Sequence, residues 1–116
     1  MEKKKVYNLE DRTYLFAKNC RVLLKKLPRT ISNTEDIKQL VRSSGSVAAN
    51  YIEANEKLGN KDLIFRMKIA RKEAKESVLW LRLLRDLNIE FKNELEVLIT
   101  ECQELRKILS SIINKL

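Results

Sequence analysis

The sequence predicts an all-α protein, an antiparallel up-down four-helix bundle, and three observations carry that expectation. Its 116 residues include only two Gly and one Pro, so little interrupts long helices. Apolar residues recur at three- and four-residue spacing in four separate stretches, with no strand-like alternation. The breaks between the stretches are short, and short connections between amphipathic helices make antiparallel neighbours. The chain is long enough to bury a core without staples, so residues 8–116 form one domain behind a basic tail, 1–7.

The first helix is expected over about 9–27. Asn8 is its N-cap with Asp11 three positions on; Leu9, Leu15, Phe16, Cys20, Leu23, Leu24 and Leu27 form its apolar face, and Pro28 stops it. The second spans about 33–58. Ser32 and Glu35 have capping-box spacing, and Thr34 is an alternative cap. The repeat Ile37, Leu40, Val41, Ser44, Val47, Ala48, Tyr51 and Ala54 runs unbroken through Ser43-Ser44-Gly45-Ser46. That run therefore reads as helix, with small residues that let a neighbouring backbone come close. Gly59 suits the position just past this helix, and Asn60 would cap the third.

The third helix, about 61–87, places Leu63, Met67, Ala70, Ala74, Leu81 and Leu84 on one face, and Asn88 can end it in a left-handed conformation. The fourth, about 91–115, carries Leu95, Leu98, Ile99, Cys102, Leu105, Ile108, Leu109, Ile112 and Ile113. The end of the third, Val78 to Leu84 around Trp80, is apolar on more than one side. Self-association is the economical reading, against a wide intramolecular core with Trp80 spread over it.

No stretch approaches the roughly 20 apolar residues of a membrane span, and no apolar signal core follows Lys3, Lys4 and Lys5. Cys20 and Cys102 read as buried free thiols, so a cytoplasmic protein is expected. The formal charge of +8 is uneven: residues 1–28 balance at +5, 29–58 at 0, 59–88 at +4 and 89–116 at −1. Basic charge concentrated on two segments favours a polyanionic partner, although a solvated face would look the same.

The chain has no His, which removes the commonest general base and metal ligand. It also lacks a Gly-rich phosphate loop, a Cys pair and a nucleophile elbow, so no catalytic activity, cofactor or metal site is expected. On the second helix Gln39, Ser43, Ser46, Asn50 and Glu53 share a polar line; Glu73 and Glu76 lie one turn apart on the third. Facing glutamates resemble a di-iron site, but such sites need Glu-x-x-His pairs. A structural cluster of Ser46, Asn50, Glu53, Glu73 and Glu76, paired with Arg42, Arg66 or Arg71, fits better. Lys61, Lys68, Lys72, Lys75 and Arg82 fall on one stripe of the third helix, with Arg71 and Arg85 on a second line. A stripe of this kind can follow a phosphate backbone.

Three blocks carry a family resemblance over nearly the whole chain. The first is Leu9-Glu10-Asp11-Arg12, Phe16-Ala17 and Leu27-Pro28. The second is Gln39-Leu40-Val41-Arg42-Ser43-Ser44-Gly45-Ser46-Val47-Ala48-Ala49-Asn50-Tyr51-Ile52-Glu53-Ala54. The third is Asp62-Leu63, Ile69-Ala70-Arg71-Lys72-Glu73-Ala74-Lys75-Glu76-Ser77 and Trp80-Leu81. These residues resemble the bacterial 23S rRNA intervening-sequence proteins, a ribosomal-protein-like family; Gly45 and Tyr51 depart mildly from its pattern. The resemblance implies a four-helix bundle assembled as a homopentameric barrel. It also implies kinship with the accessory variability determinant of diversity-generating retroelements, which binds nucleic acid and a reverse transcriptase.

The expected function is thus a non-enzymatic, oligomeric RNA- or DNA-binding bundle. Lys68, Arg71, Lys72, Lys75, Arg82 and the tail Lys3, Lys4 and Lys5 would contact phosphates. The alternative is an accessory scaffold for a retroelement reverse transcriptase and its template RNA.

Overall fold

A computed structural model describes residues 8–56 and 58–116. The basic tail, with Lys3, Lys4 and Lys5, lies outside the described residues, as does Lys57. Four helices account for nearly all of the rest: α1 (Leu9–Leu24), α2 (Ile31–Asn55), α3 (Asn60–Leu87) and α4 (Lys92–Lys115), the last entered through a 3-10 turn at Ile89–Phe91. No strand occurs among the described residues. Each helix packs on its neighbours around a square, so that α1 faces α3, and α2 faces α4, across the diagonals.

Local chemistry sets several boundaries. The Asn8 side chain accepts from the Asp11 amide at 2.8 Å, the N-cap expected of α1. This helix ends three residues before the expected Leu27, because Pro28 disfavours helical backbone in the residue before it. The chain leaves through a tight turn, Lys26 N–H to Leu23 O and Leu27 N–H to Leu24 O, and Leu27 stays buried.

The start of α2 differs from expectation. Thr30, rather than Ser32 or Thr34, caps it, accepting from the Asn33 amide at 3.1 Å. At the other end Glu56 closes α2 in a helical conformation, so Gly59 is not its terminator. Gly59 instead takes φ 146°, open to glycine, as the residue before α3, and Asn60 is the first helical residue rather than the cap. Asn88 closes α3 at φ −136°, not in a left-handed conformation.

The main core gathers Phe16, Cys20, Leu24, Leu40, Val47, Leu81, Leu84, Leu95 and Leu105; a smaller cluster of Ala54, Met67, Ala70 and Leu109 closes the far end. Cys20 and Cys102 are buried free thiols. Burial pushes the Cys20 thiol up to about 12.

Two polar devices fix how the helices sit. The buried amides of Asn33 and Asn88 donate to each other at 2.8 and 2.9 Å, while Asn33 also reaches the Pro28 carbonyl and Asn88 the Leu84 carbonyl. The α1–α2 turn is thereby pinned to the end of α3. Gly45, inside α2 as expected, makes room for a side chain rather than a backbone. A Cβ there would lie 3.1 Å from the Arg21 guanidinium, which crosses from α1 to donate to Val41 O and Ser44 Oγ.

Candidate polyanion-binding face

The α2–α3 seam collects the expected polar cluster, with one exception. Arg42 reaches Glu73 at 3.3 Å and Glu76 at 3.1 Å. Ser43 and Ser77 share a buried 2.7 Å hydrogen bond, and Ser77 donates onward to the Glu73 carbonyl. Asn50 donates to Ser46 and accepts from Arg66, which also pairs with Asp62. Glu53 stays out of this network, exposed on α2, as is Gln39 at the other end of the line. One guanidinium bridges the two seam glutamates and offsets part of their charge, which makes this a structural register device.

Other charges are bound in the same way. Arg12 joins α1 to α4 through Glu101, twice at 2.9 Å, and Glu104 at 2.8 Å; these bonds hold its guanidinium above the ordinary range, that to Glu101 foremost. Arg85 is held by Asp86 and Glu96, and Arg85 in turn keeps the Asp86 carboxyl below its usual value. The second basic line of α3 therefore splits: Arg85 is engaged, whereas Arg71 contacts only the neutral hydroxyl of Ser110 at 3.3 Å.

The outward stripe of α3 is different. Lys68, Lys72, Lys75 and Arg82 are exposed. Among the described residues no carboxylate lies within ion-pair distance of any of them, nor of Arg71. Spacings of four, three and seven residues hold them on one side of the helix. A row of cations with no internal counterion projects its field into solvent, where mobile ions or a polyanion answer it.

The C-terminal half of the same helix also exposes a row of leucines beside Lys75 and Arg82. Val78, Leu81 and Leu84 are buried in the core, and Trp80 is half-buried against it. Leu79, Leu83 and Leu87 remain 47, 38 and 61% exposed at four-residue intervals. The wide core accounts for Trp80 but leaves this leucine row uncovered.

Sequence reasoning missed the Asn33–Asn88 pair, the Arg12 latch and the Arg21 strap. Each joins residues 20 or more positions apart, and only the spacing within a helix is legible beforehand.

No helix among the described residues is long and apolar enough to cross a membrane. No curated protein matches the chain. A crystal structure from Bacteroides thetaiotaomicron VPI-5482, of a protein of unknown function from the S23 ribosomal protein family, is 31% identical. It superposes with a TM-score of 0.80 over 91% of this chain and 95% of that one. The profile of the 23S rRNA-intervening sequence proteins matches residues 4–111, and the chain belongs to that family.

Proposed function

We propose that the protein is a non-enzymatic nucleic-acid-binding bundle of the cytoplasm, working as a homo-oligomer of five copies as the family resemblance implies. One observation carries the binding half: Lys68, Arg71, Lys72, Lys75 and Arg82 share one side of α3 without a carboxylate partner among the described residues. Such a row neutralises phosphates and releases condensed counterions, so affinity is salt-steep and largely indifferent to sequence. RNA and DNA phosphates both fit it. The leucine row Leu79, Leu83 and Leu87 supports the oligomeric half, because an apolar stripe of that kind is usually covered by a partner surface.

Light scattering on the purified protein, with and without a mixed RNA and DNA pool at low and high salt, tests both halves. The expected result is a salt-resistant oligomer that gains mass with nucleic acid only at low salt. Changing Lys68, Lys72 and Lys75 together to Gln should cut affinity more than tenfold and flatten the log–log salt slope by about 3 units. A monomer that ignores nucleic acid, or a triple variant with unchanged slope, removes the reading.

A further inference from the structure

The fourth helix contributes a groove of about 520 Å³ along its outer side, lined by Arg106, Lys107 and Lys115 together with Ser110, Ser111 and Asn114. No carboxylate is among its lining residues. The near-neutral charge of residues 89–116 conceals this, because their acids are turned elsewhere. Glu101 and Glu104 are bound to Arg12, Glu96 to Arg85, and Glu94 to Lys26.

The two arginines beside this groove, Arg106 in its wall and Arg71 against Ser110, are held by neutral groups, as Arg21 and Arg29 are elsewhere. Arg12, Arg42, Arg66 and Arg85 are fixed by carboxylates, which cancel their charge. Arg106 donates through Nη1 to the amide oxygen of Gln103 at 2.8 Å, and Arg71 donates to the Ser110 hydroxyl at 3.3 Å. Both partners are neutral. They orient a guanidinium without neutralising it; the Arg106 Nε is buried and unpartnered, so its outer Nη groups and the full charge face an outside acceptor. Ser110 belongs to both features, since it accepts from Arg71 and lines the groove.

The helix register makes the groove continuous with the basic stripe. Arg71 of α3 lies against Ser110 of α4, and Arg85 lies beside Glu96. The same antiparallel pairing brings Lys75 level with Arg106. We propose that the α4 groove is a phosphate-binding subsite in which Arg106 and Arg71, one from each helix, grip phosphoryl oxygens while the lysines supply unspecific charge. This rests on the nucleic-acid reading of α3 and extends it: the lysine stripe attracts the strand, and the groove fixes a phosphate in place. The planar fork of arginine suits that task better than a lysine point charge.

The test is an NMR titration of the full-length, isotope-labelled protein, following the Arg106 and Arg71 side-chain Nε–Hε signals. The probes are a short single-stranded RNA, its DNA counterpart and inorganic phosphate, at constant ionic strength. Both arginine signals should shift with the oligonucleotides, and Arg106→Gln with Lys107→Gln should lower oligonucleotide affinity about 5-fold with unchanged thermal unfolding. Oligonucleotide binding that moves signals around Lys68 and Lys72 but leaves both arginines still, with the double variant binding like the parent, overturns the groove and spares the α3 reading. If no oligonucleotide binds, the α3 reading falls, and inorganic phosphate decides the groove alone. Shifts of both arginines then sustain a phosphate site for small phosphorylated compounds, and their absence overturns it.

Discussion

The two flanks of α3 have similar numbers of charged residues and opposite arrangements of them. Toward α2, Asp62, Arg66, Glu73 and Glu76 meet Arg42 and Asn50, and Asn88 at the helix end meets Asn33. Toward solvent and α4, Lys68, Arg71, Lys72, Lys75 and Arg82 meet no carboxylate among the described residues. The first flank uses charge to set register and the second leaves it facing solvent. Net charge alone hides this division, because it counts engaged and free cations alike.

Variants on the α2 side should therefore change stability and spare binding, with the reverse on the outer side. The largest stability loss is expected from Asn88→Ala, which strips the buried Asn33 carbonyl oxygen of its donor and Leu84 O of a partner. About 2 kcal/mol should be lost in urea unfolding, with oligonucleotide affinity unchanged. A loss near zero would show that the amide pair contributes no net register energy.

Titration separates the flanks next. The chain has no His, the side chain that ordinarily changes charge near neutral pH, and binding should be flat from pH 6 to 8. Stability should fall on the alkaline side. The Cys20 thiol titrates at about 12 when folded against 9.0 for the free group. A raised folded value contributes stability that is complete below pH 9.0 and is lost as pH climbs toward 12. Urea midpoints at pH 8 and 10.5 should show the drop, and Cys20→Ala should make it smaller. An identical drop in the variant would assign it to other groups.

Glu73→Ala comes third. Arg42 is half-exposed and keeps Glu76, so the expected loss is about 1 kcal/mol rather than the larger cost of orphaning a buried charge. The smallest stability effect belongs to the outer flank: Lys72→Gln should stay within about 0.5 kcal/mol of the parent while weakening oligonucleotide binding measurably at low salt. A clear stability loss at Lys72 would blur the contrast between the flanks.

How much of this was legible depended on distance along the chain. The Asn8 cap, the helical reading through Gly45 and the outward stripe of α3 follow from residues within a turn or two of one another. The start of α2 was not legible, because Ser32 with Glu35 satisfies the capping pattern as well as Thr30 with Asn33 does. What favours Thr30 is that Asn33 must reach Pro28 and Asn88, contacts no local window contains. Arg82 and Arg85 illustrate the same limit within the candidate site. Both looked like free cations, and Asp86 beside Arg85 together with Glu96 on the next helix separates them. The cations of α4 were masked by neighbouring glutamates whose direction is a tertiary fact.

The reciprocal Asn33–Asn88 bond also limits how the molecule can move. A slide of α2 along α3 by one turn would separate the amides and strand their buried donors and acceptors, so this pair of helices cannot work as a piston. Freedom lies on the opposite edge, at α1. This helix, 16 residues long, is held by Phe16, Cys20, Leu23 and Leu24 in the core and, at the surface, by the Arg12 latch and the Arg21 strap. Swinging it outward would uncover Cys20 and Cys102 while leaving α2 and α3 aligned. Amide hydrogens should exchange first along α1 and last around Leu84 and Asn88.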